Sequence, residues 1–377
     1  MDTQSDVIVI GAGIVGNATA YYLSKAGKKV TVLEASDFIG NGGSSRNGGG
    51  VRQSGRNPKE LPLMVWGVKN IWPTLSEELG ADTEYVQGGN LRLGKTEQHR
   101  QILQGLTDNA VKCGVDVRMI DADQVKEINP YLSDEVLCAS WCPTDGHANP
   151  LTTTLAYYRK ARELGARFIT GVPVTKLLTS RGKITGVETP EGNFLSETVV
   201  VAAGYESNGI LSSVGINIPM KKHALTCLVT EAAPRMFRQM LGTAMADFYG
   251  HQTKHGSFVM GGTDGFDEFP SRIDDSYPLV GSSMVSATCR GILGYFPMLK
   301  EVKVVRAWGG YGDFCVDAVA TVSKCDEVPG LYIECGFTGH GFGLGPAAAY
   351  NIAQLICTGS CPADISPLRY NRFRPSK

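Results

Sequence analysis

The chain has 377 residues, of which 42% are hydrophobic, and a formal net charge of −1. This length suits two domains or one large α/β domain with an addition, and the near-zero charge gives no reason to expect a nucleic-acid or membrane-surface partner. No apolar run approaches the roughly 20 residues of a membrane span, and the first predicted strand begins too early for a signal peptide, so we expect a cytoplasmic protein.

The first predicted element is a buried parallel strand over residues 6–10, and three glycines in the pattern G-x-G-x-x-G follow it. The first glycine permits a tight turn, the second lets a pyrophosphate approach bare backbone, and the third lets a helix pack on the strand. We predict that helix over 17–25 and a second strand over 29–33. The acid that follows this strand, Glu34, can bind both ribose hydroxyls. The predicted dinucleotide contacts are Gly11, Ala12, Gly13, Ile14, Val15, Gly16, Glu34 and Ala35.

This fingerprint alone does not choose between NAD and FAD, but the next segment favours FAD. Residues 40–50 contain six glycines interleaved with hydroxyls, an arginine and an asparagine. A nicotinamide dehydrogenase usually continues into another helix here, whereas a loop of donors suits a diphosphate and the edge of an isoalloxazine ring. The alternative is a flexible glycine linker. The predicted FAD contacts are Ser44, Ser45, Arg46, Asn47, Gly49, Gly50 and Val51.

Two later segments favour FAD, because in each of them a buried strand is followed by glycine. One is a strand over 198–203, and the other is a strand and glycine-rich loop over 331–345. We predict a helix over 346–356 after that loop, with Pro346 in its first turn. Its positive N-terminus suits a flavin oxygen that gains negative charge on reduction. The predicted contacts are Val174, Ala203, Gly204, Gly339, His340, Gly341, Phe342 and Gly343.

The fold expected is α/β, with a Rossmann-like FAD-binding domain of the glutathione-reductase type and an antiparallel-sheet substrate domain. We assign 1–85, 140–215 and 310–377 to the FAD-binding domain, and 86–139 and 216–309 to the substrate-binding or interface domain. A substrate pocket is expected between the two layers. Other predicted elements are helices over 64–79 and 152–165, a strand over 165–174, a hairpin over 182–193, and strands over 223–232, 256–265 and 301–310.

Together these segments resemble the D-amino-acid oxidase superfamily of FAD-dependent amine oxidoreductases over nearly the whole chain. Its FAD motifs match residues 11–16 with Glu34, 44–51, 202–204 and 336–345. Within it, "SSRNGGGVRQ" is most similar to the β subunit of heterotetrameric sarcosine oxidase and its relatives, and "SGRNPKELPL" with "DGHANPLTTT" favours the opine oxidase side. The resemblance implies hydride transfer to flavin from a carbon next to an amine, followed by hydrolysis of the imine.

The sequence departs from that family pattern in ways that change the expectation. Cys315 is too near Asp317 to match the cysteine that carries flavin in the monomeric enzyme, so we predict non-covalent FAD. Val259 stands where that enzyme has a lysine that assists dioxygen, and Gly343 stands where a lysine binds the substrate carboxylate. His147 is displaced by one residue from the position that can carry FMN in the heterotetrameric relatives, which leaves open an FMN at a subunit interface.

The predicted substrate residues are Arg52, Arg306 and His340. An α-amino acid needs a cation for its carboxylate, and arginine can bind one through two hydrogen bonds. The alternatives are that each arginine forms a structural ion pair and that His340 caps its loop. No metal site is predicted, because the ten cysteines lack a C-x-x-C pattern and suit reduced thiols.

The leading hypothesis is an FAD-dependent dehydrogenase that acts on a secondary amine such as an opine, sarcosine or a proline derivative. It would be the catalytic β-type subunit of a complex whose other subunits receive the electrons. A second hypothesis is a stand-alone oxidase that makes hydrogen peroxide from glycine, sarcosine or a D-amino acid. A third is a non-catalytic flavoprotein kept for assembly, and a nicotinamide enzyme is the remote alternative.

Overall fold

The computed structural model describes residues 3–262 and 282–374. The helices in these ranges are α1 (Ile14–Lys25), α2 (Leu61–Asn70), α3 (Leu75–Leu79), α4 (Glu97–Lys112), α5 (Ala122–Ile128), α6 (Pro150–Glu163), α7 (Ser207–Ser212), α8 (Ser282–Tyr295) and α9 (Gly341–Thr358). The strands are β1 (Val7–Ile10), β2 (Val30–Leu33), β3 (Gly50–Val51), β4 (Asn90–Gly94), β5 (Arg118–Asp121), β6 (Cys138–Cys142), β7 (Gly146–His147), β8 (Arg167–Ile169), β9 (Lys176–Ser180), β10 (Lys183–Thr189), β11 (Gly192–Leu195), β12 (Val199–Val201), β13 (Met220–Ala232), β14 (Met240–Thr243), β15 (Tyr249–Gln252), β16 (Ser257–Gly262), β17 (Val304–Cys315), β18 (Thr321–Lys324) and β19 (Leu331–Cys335).

A six-stranded sheet in the order β18-β19-β12-β1-β2-β8 forms the nucleotide-binding part of the chain. Its neighbours are parallel except at the β18–β19 edge. Strand β1 is apolar throughout because both faces are buried: Val7 and Val9 pack with helices α1 and α9, and Ile8 and Ile10 pack with the β9–β11 sheet and α7. This sheet confirms the α/β fold class and places the glycine turn at the carboxyl end of a central strand.

An eight-stranded sheet in the order β17-β13-β16-β15-β14-β4-β6-β5 forms the second part. Its pairs are antiparallel except for β14 with β4. One face packs on an apolar core that includes Leu91, Phe258 and Phe296. The other face lies against the glycine-rich segment, because a Cβ on Gly48 would contact the ring of Tyr249 at 2.7 Å. The expectation of a second, mostly antiparallel sheet is therefore confirmed.

The predicted helix over 346–356 starts too late. Helix α9 begins at Gly341, so Pro346 lies inside it rather than in its first turn. The glycines that suggested a loop serve packing instead, since a Cβ on Gly345 would lie 3.0 Å from the Val15 side chain. Helix α1 likewise begins at Ile14, three residues earlier than predicted, directly after the turn.

Two other predicted elements are shorter in the structure. The helix over 64–79 is two helices, α2 and α3, because Pro73 lies in a 3₁₀ turn between them. The strand over 165–174 is limited to β8, after which Gly171 takes a φ of +73° and its amide donates to the carbonyl oxygen of Ser36. The helix over 152–165 corresponds to α6, and the hairpin over 182–193 corresponds to β10 and β11.

The strands predicted over 223–232, 256–265 and 301–310 correspond to β13, β16 and β17, although residues 263–265 lie outside the described ranges. The expected domain limits at 140 and 310 fall within β6 and β17 of the eight-stranded sheet. We propose limits after Cys142 and Cys315 instead, because a strand belongs with the sheet it pairs with.

No helix in the described ranges has the length and apolar character to cross a bilayer. All ten cysteines are free thiols, and each is half-buried or buried. Among the described residues, no group of three or more histidine, cysteine or acidic side chains is placed to hold a metal ion.

Candidate functional site

The turn after β1 is built from backbone that leaves no space for side chains. Gly11 has a φ of +100°, and a Cβ on it would lie 2.5 Å from the carbonyl oxygen of Ala202. A Cβ on Gly16 would lie 1.9 Å from the carbonyl oxygen of Gly11. The residue that caps α1, Gly13, supplies no side-chain hydrogen bond. The turn therefore presents the positive end of a helix beside bare backbone, which suits an anionic diphosphate.

Two side chains from outside the turn hold it in place. Glu34, which follows β2, accepts a hydrogen bond from the Ala12 amide at 2.7 Å, and the Ser44 hydroxyl accepts one from the Ile14 amide at 2.8 Å. The second Glu34 oxygen accepts from the amide and hydroxyl of Ser36, both at 2.9 Å. The structure thus brings two predicted cofactor residues, Glu34 and Ser44, to the glycine turn.

The glycine-rich segment over 40–50 is ordered by its own hydrogen bonds. The Asn47 amide group donates to the carbonyl oxygens of Gly43 and Ser44, both at 3.0 Å, and its Oδ1 accepts from the Gly49 amide at 2.9 Å. These bonds fold the segment into a defined loop, so a flexible linker is a poor description of it.

The start of helix α9 lies against this loop and against the first turn. A Cβ on Gly343 would lie 2.8 Å from the carbonyl oxygen of Gly50, and Gly345 makes a similar approach to Val15. His340 precedes the helix and supplies no side-chain cap. A second positive helix end is therefore placed next to the glycine loop.

The remaining predicted cofactor residues have varied surroundings. Arg46 donates through Nη2 to Oδ1 of Asn41 at 3.1 Å. Their exposure also differs: Val51 and Phe342 are buried, Ser45, Val174, Ala203, Gly204 and Gly341 are half-buried, and Ala35 and Gly339 are exposed. As direct contacts with a cofactor, these residues stay predictions.

The residues present fit FAD. The glycine turn, with its lack of Cβ atoms and its helix end, would hold the diphosphate, and Glu34 would hold the adenosine ribose. The loop over 42–51 and the start of α9 would hold the flavin end, because both present backbone amides and a helix N-terminus. When bound, FAD supplies an acceptor for a hydride.

Residues 52–60 follow the glycine loop and contain a buried group of charges. The side chains of Arg56 and Glu60 are 1% and 0% exposed, and Nη1 of Arg56 lies 3.2 Å from Oε2 of Glu60. The same Glu60 oxygen lies 3.1 Å from Nδ1 of His340, and the other accepts from the Ala320 amide at 2.9 Å. Glu60 therefore joins the segment to the loop before α9.

Asp145 fixes the first residues of this segment. Its carboxylate accepts hydrogen bonds from the Gln53 amide at 2.6 Å and from the amide and hydroxyl of Ser54 at 3.1 and 2.5 Å. Arg52 donates through Nη1 to the Ser54 carbonyl oxygen at 3.0 Å. In the described part of the chain, no carboxylate lies within 4.0 Å of the Arg52 guanidinium, which leaves this cation for another anion.

Burial sets the protonation of this group. It lowers the pKa of His340 to about 4, with the charge of Arg56 adding to the effect, so the ring is neutral at pH 7 and its Nδ1–H donates to Glu60. Burial acts to raise the pKa of Glu60, but the hydrogen bond with His340 and the charge of Arg56 outweigh it and lower that pKa to about 2. Burial also lowers the pKa of Arg52.

Arg306 lies apart from this group. It is exposed on the edge strand β17, with its guanidinium 5.7 Å from the centre of the Trp308 ring. No contact of Arg306 with Arg52 or His340 is found within the described ranges. A role for Arg306 in binding substrate stays a prediction.

A cavity of about 320 Å³ opens beside the glycine loop. Its walls include Ser45, Asn47, Tyr85, His147, Val259 and Trp308. The rings of His147 and His251 stack at 3.8 Å, and burial lowers the pKa of His147 to about 4. Within the described residues, the lining side chains of Tyr85, His251, Thr253 and Trp308 each carry a buried polar atom that has no hydrogen-bond partner. Such atoms can form hydrogen bonds with water or with a ligand in the cavity.

Sequence reasoning missed Arg56, Glu60 and Asp145. Their partners come from distant parts of the chain, since Glu60 meets His340 and Ala320, and Asp145 meets residues 53–54. The signal that was available is the run "SGRNPKELPL", which places an arginine and a glutamate four residues apart. That spacing suits a helical ion pair but does not reveal that it is buried.

Known proteins resemble the chain over almost its full length. The beta subunit of sarcosine oxidase from Arthrobacter sp is 29% identical over 378 residues, which cover 98% of this chain and 91% of that protein. An opine oxidase subunit from Agrobacterium tumefaciens (strain Ach5) is 25% identical over 380 residues, which cover 98% of each chain. The crystal structure of L-proline dehydrogenase from P.horikoshii matches with a TM-score of 0.90 and 30% identity, over 99% of this chain and 98% of that chain.

The family described as "DAO: FAD dependent oxidoreductase" matches residues 6–355. That range contains the glycine turn, the glycine loop, the buried charges over 52–60 and the start of α9. The expected resemblance and the expected dependence on FAD are therefore confirmed, and the chain belongs to the DAO family of FAD dependent oxidoreductases.

Proposed function

We propose that this chain oxidises the C–N bond of a secondary-amine amino acid, such as an opine, sarcosine or a proline derivative, as the catalytic β-type subunit of a larger complex. The proposal depends on one observation. The guanidinium of Arg52 is held by a hydrogen bond to the Ser54 carbonyl oxygen and has no carboxylate partner in the described residues. An amino-acid carboxylate supplies the missing anion and can accept two hydrogen bonds from it. The relatives named above, for sarcosine, opines and L-proline, support this substrate class.

The neighbouring side chains have complementary roles in this proposal. Hydride transfer requires a positioned, unprotonated amine. Neutral His340 donates its Nδ1–H to Glu60, which leaves Nε2 as a nitrogen that can accept a hydrogen bond from the substrate amine. Arg56 keeps Glu60 ionised and thereby fixes the tautomer of His340.

The cavity lined by His147 and Trp308 is the proposed place for a second redox ring, FMN, next to another chain of the complex. Its stacked histidines and its unpartnered polar atoms suit a flat heteroaromatic ligand. The similarity to proteins named as subunits supports a complex of several chains.

The surroundings of Val259 favour transfer of electrons to a partner over direct reaction with dioxygen. Superoxide formation benefits from an unpaired cation, and Val259 is apolar. Among the described residues that line the cavity, the lysine, Lys254, is paired with Asp82 at 2.6 Å and with Glu84 at 3.6 Å.

The test is anaerobic titration of the purified flavoprotein with opines, sarcosine, glycine and prolines, followed by flavin absorbance. We expect a secondary-amine amino acid to bleach the flavin band, and dye reduction to exceed peroxide formation when air is admitted. Peroxide in proportion to substrate would support the stand-alone oxidase instead. A flavin that no amine reduces would support a non-catalytic assembly role and would contradict the proposal.

A further inference from the structure

A second arginine lies beside Arg52 on the facing sheet. Arg92 is on strand β4, whose neighbouring residues Leu91 and Leu93 pack into the core of the opposite face. Asn90, on the same face as Arg92, donates to the Ser54 hydroxyl at 2.7 Å. Arg92 therefore belongs to the sheet surface that faces residues 52–56.

Gly55 gives the Arg92 side chain its space. Gly55 has a φ of +69°, and a Cβ on it would lie 1.9 Å from Nη1 and 2.8 Å from Cζ of Arg92. Any other residue at position 55 would collide with the guanidinium. Gly55 therefore leaves the space that lets the Arg92 guanidinium lie against the segment that carries Arg52.

Arg92 has no anionic partner in the part of the chain that the structure describes. Its Nη2 donates to the Thr243 carbonyl oxygen at 3.3 Å, and its buried Nε has no hydrogen-bond partner. The negative charge that acts on Arg92 is that of Asp145, whose oxygens already accept hydrogen bonds from Gln53 and Ser54. Arg56 is excluded as a free cation because Glu60 neutralises it.

Arg52 and Arg92 thus share a mostly buried region. The carboxylates that act on Arg52 there, Asp145 and Glu60, already bind other residues. Burial and the charge of Arg52 lower the pKa of Arg92 to about 9, and burial lowers the pKa of Arg52. Arginine side chains stay charged at neutral pH. Keeping two buried cations close together is costly unless anions are brought to them. Such arrangements indicate a binding site for negative charge.

We propose that Arg92 binds a second substrate carboxylate while Arg52 binds the first, so that the preferred substrate is a secondary amine bearing a carboxylate on each nitrogen substituent. This inference rests on the proposed function and adds the substrate class to it. A monocarboxylate amine leaves Arg92 without an anion, whereas an imino dicarboxylic acid neutralises both guanidinium groups.

The experiment compares two amines that differ by one carboxylate, sarcosine and iminodiacetate, in anaerobic titrations of the flavin-loaded protein. We expect the rate of flavin reduction to reach half its maximum at an iminodiacetate concentration about 10- to 100-fold lower than the sarcosine concentration, since a charged hydrogen-bonded contact changes affinity by that order. In Arg92→Met this preference should disappear, while the concentration of sarcosine needed changes less than about threefold. Arg92→Lys should keep part of the preference, because lysine keeps the positive charge but cannot form the two parallel hydrogen bonds of a guanidinium group.

The matched control is Arg118→Met, which changes an exposed arginine on strand β5 of the same sheet and should alter neither titration. Wild-type protein that sarcosine reduces as readily as iminodiacetate would overturn the inference while leaving the proposed function intact. Loss of response to both amines in Arg92→Met, or loss of its flavin, would show a structural or cofactor role for Arg92 and would also overturn it. A wild-type flavin that no amine reduces would overturn the proposed function itself.

Discussion

The turn over residues 11–16 and the segment over residues 52–60 are both close-packed, but they are built differently. The turn has no charged side chain and depends on absent Cβ atoms, as the 1.9 Å approach of a Gly16 Cβ to Gly11 shows. The later segment depends on buried charges, since Arg56 and Glu60 are almost fully inaccessible and bonded to each other. A diphosphate can therefore be held by backbone alone, whereas a small carboxylate needs a side-chain cation that neighbouring side chains keep in place.

The largest expected effect is on the charged segment, through Glu60→Ala. Removal of this carboxylate leaves Arg56 buried without its counter-ion and leaves the Ala320 amide without its acceptor. We expect the free energy of unfolding to fall by about 3–5 kcal/mol, measured by urea denaturation. The control is Glu97→Ala, which removes an exposed ion pair with Arg100 and should cost less than about 1 kcal/mol. Equal losses of stability in the two variants would show that the buried carboxylate of Glu60 contributes no more than an exposed one.

The next effect concerns the uncharged turn, through Gly16→Ala. The added methyl group would have to displace the backbone at Gly11, so we expect a loss of about 3 kcal/mol and weaker retention of FAD. Thermal melting and the ratio of flavin to protein absorbance measure these two quantities. Gly105→Ala, in helix α4 with open space around it, should instead raise stability by up to about 1 kcal/mol. Normal flavin content in Gly16→Ala would contradict the assignment of the turn.

A third prediction tests a single buried carboxyl group, that of Glu334. Glu334, on β19, accepts a hydrogen bond from Thr19 of α1 at 2.7 Å, and burial raises its pKa to about 8. Because the folded-state pKa lies above the unfolded value of 4.5, the stability due to the protonated acid is complete below pH 4.5 and is lost as pH rises towards 8. We expect stability to fall by up to about 1.4 kcal/mol per pH unit in that window.

The variant for this test is Glu334→Gln, which keeps the shape of the protonated acid and cannot ionise. Its melting temperature should depend less on pH between 5 and 8 than that of the wild type, and it should exceed the wild-type value at pH 9. Parallel pH profiles for the two proteins would show that Glu334 does not titrate in this window.

The smallest effect is expected from Ser44→Ala. This change removes the hydroxyl that accepts from the Ile14 amide at 2.8 Å, and we expect a loss of about 1 kcal/mol together with slightly faster release of FAD. Ser133→Ala, outside the predicted FAD contacts, is the control, since the Ser133 hydroxyl accepts from the Glu135 amide only at 3.3 Å. Flavin release measured by fluorescence should therefore change more for Ser44→Ala than for Ser133→Ala.

The difference between the two regions also decides what the sequence can reveal. The turn follows a local rule, so glycine spacing, the flanking strands and Glu34 predict it within one short stretch. The same rule misplaced the start of α9, because the glycines there permit contact with Gly50 and Val15 and do not mark a loop. A glycine in a sequence indicates either a turn or a close approach, and only the structure distinguishes them.

The charged segment could be predicted only in part. The position of Arg52 after the glycine loop predicts a cation for the substrate, but its neighbours Asp145 and Arg92 are far away in sequence and meet it through sheet packing. Arg306 illustrates the opposite case, since a plausible strand position puts it on an exposed edge. Contacts that depend on how two sheets pack have no local signature in the sequence.

The central claim is that backbone in the turn holds the cofactor while Arg52 holds the substrate, and one variant tests both halves at once. Purified Arg52→Met should show the same ratio of flavin to protein absorbance as the wild type, but the rate at which its flavin bleaches without oxygen should reach half its maximum at a concentration of secondary-amine amino acid about 10-fold or more higher. Loss of flavin from Arg52→Met, or bleaching at the wild-type concentration, would contradict the account.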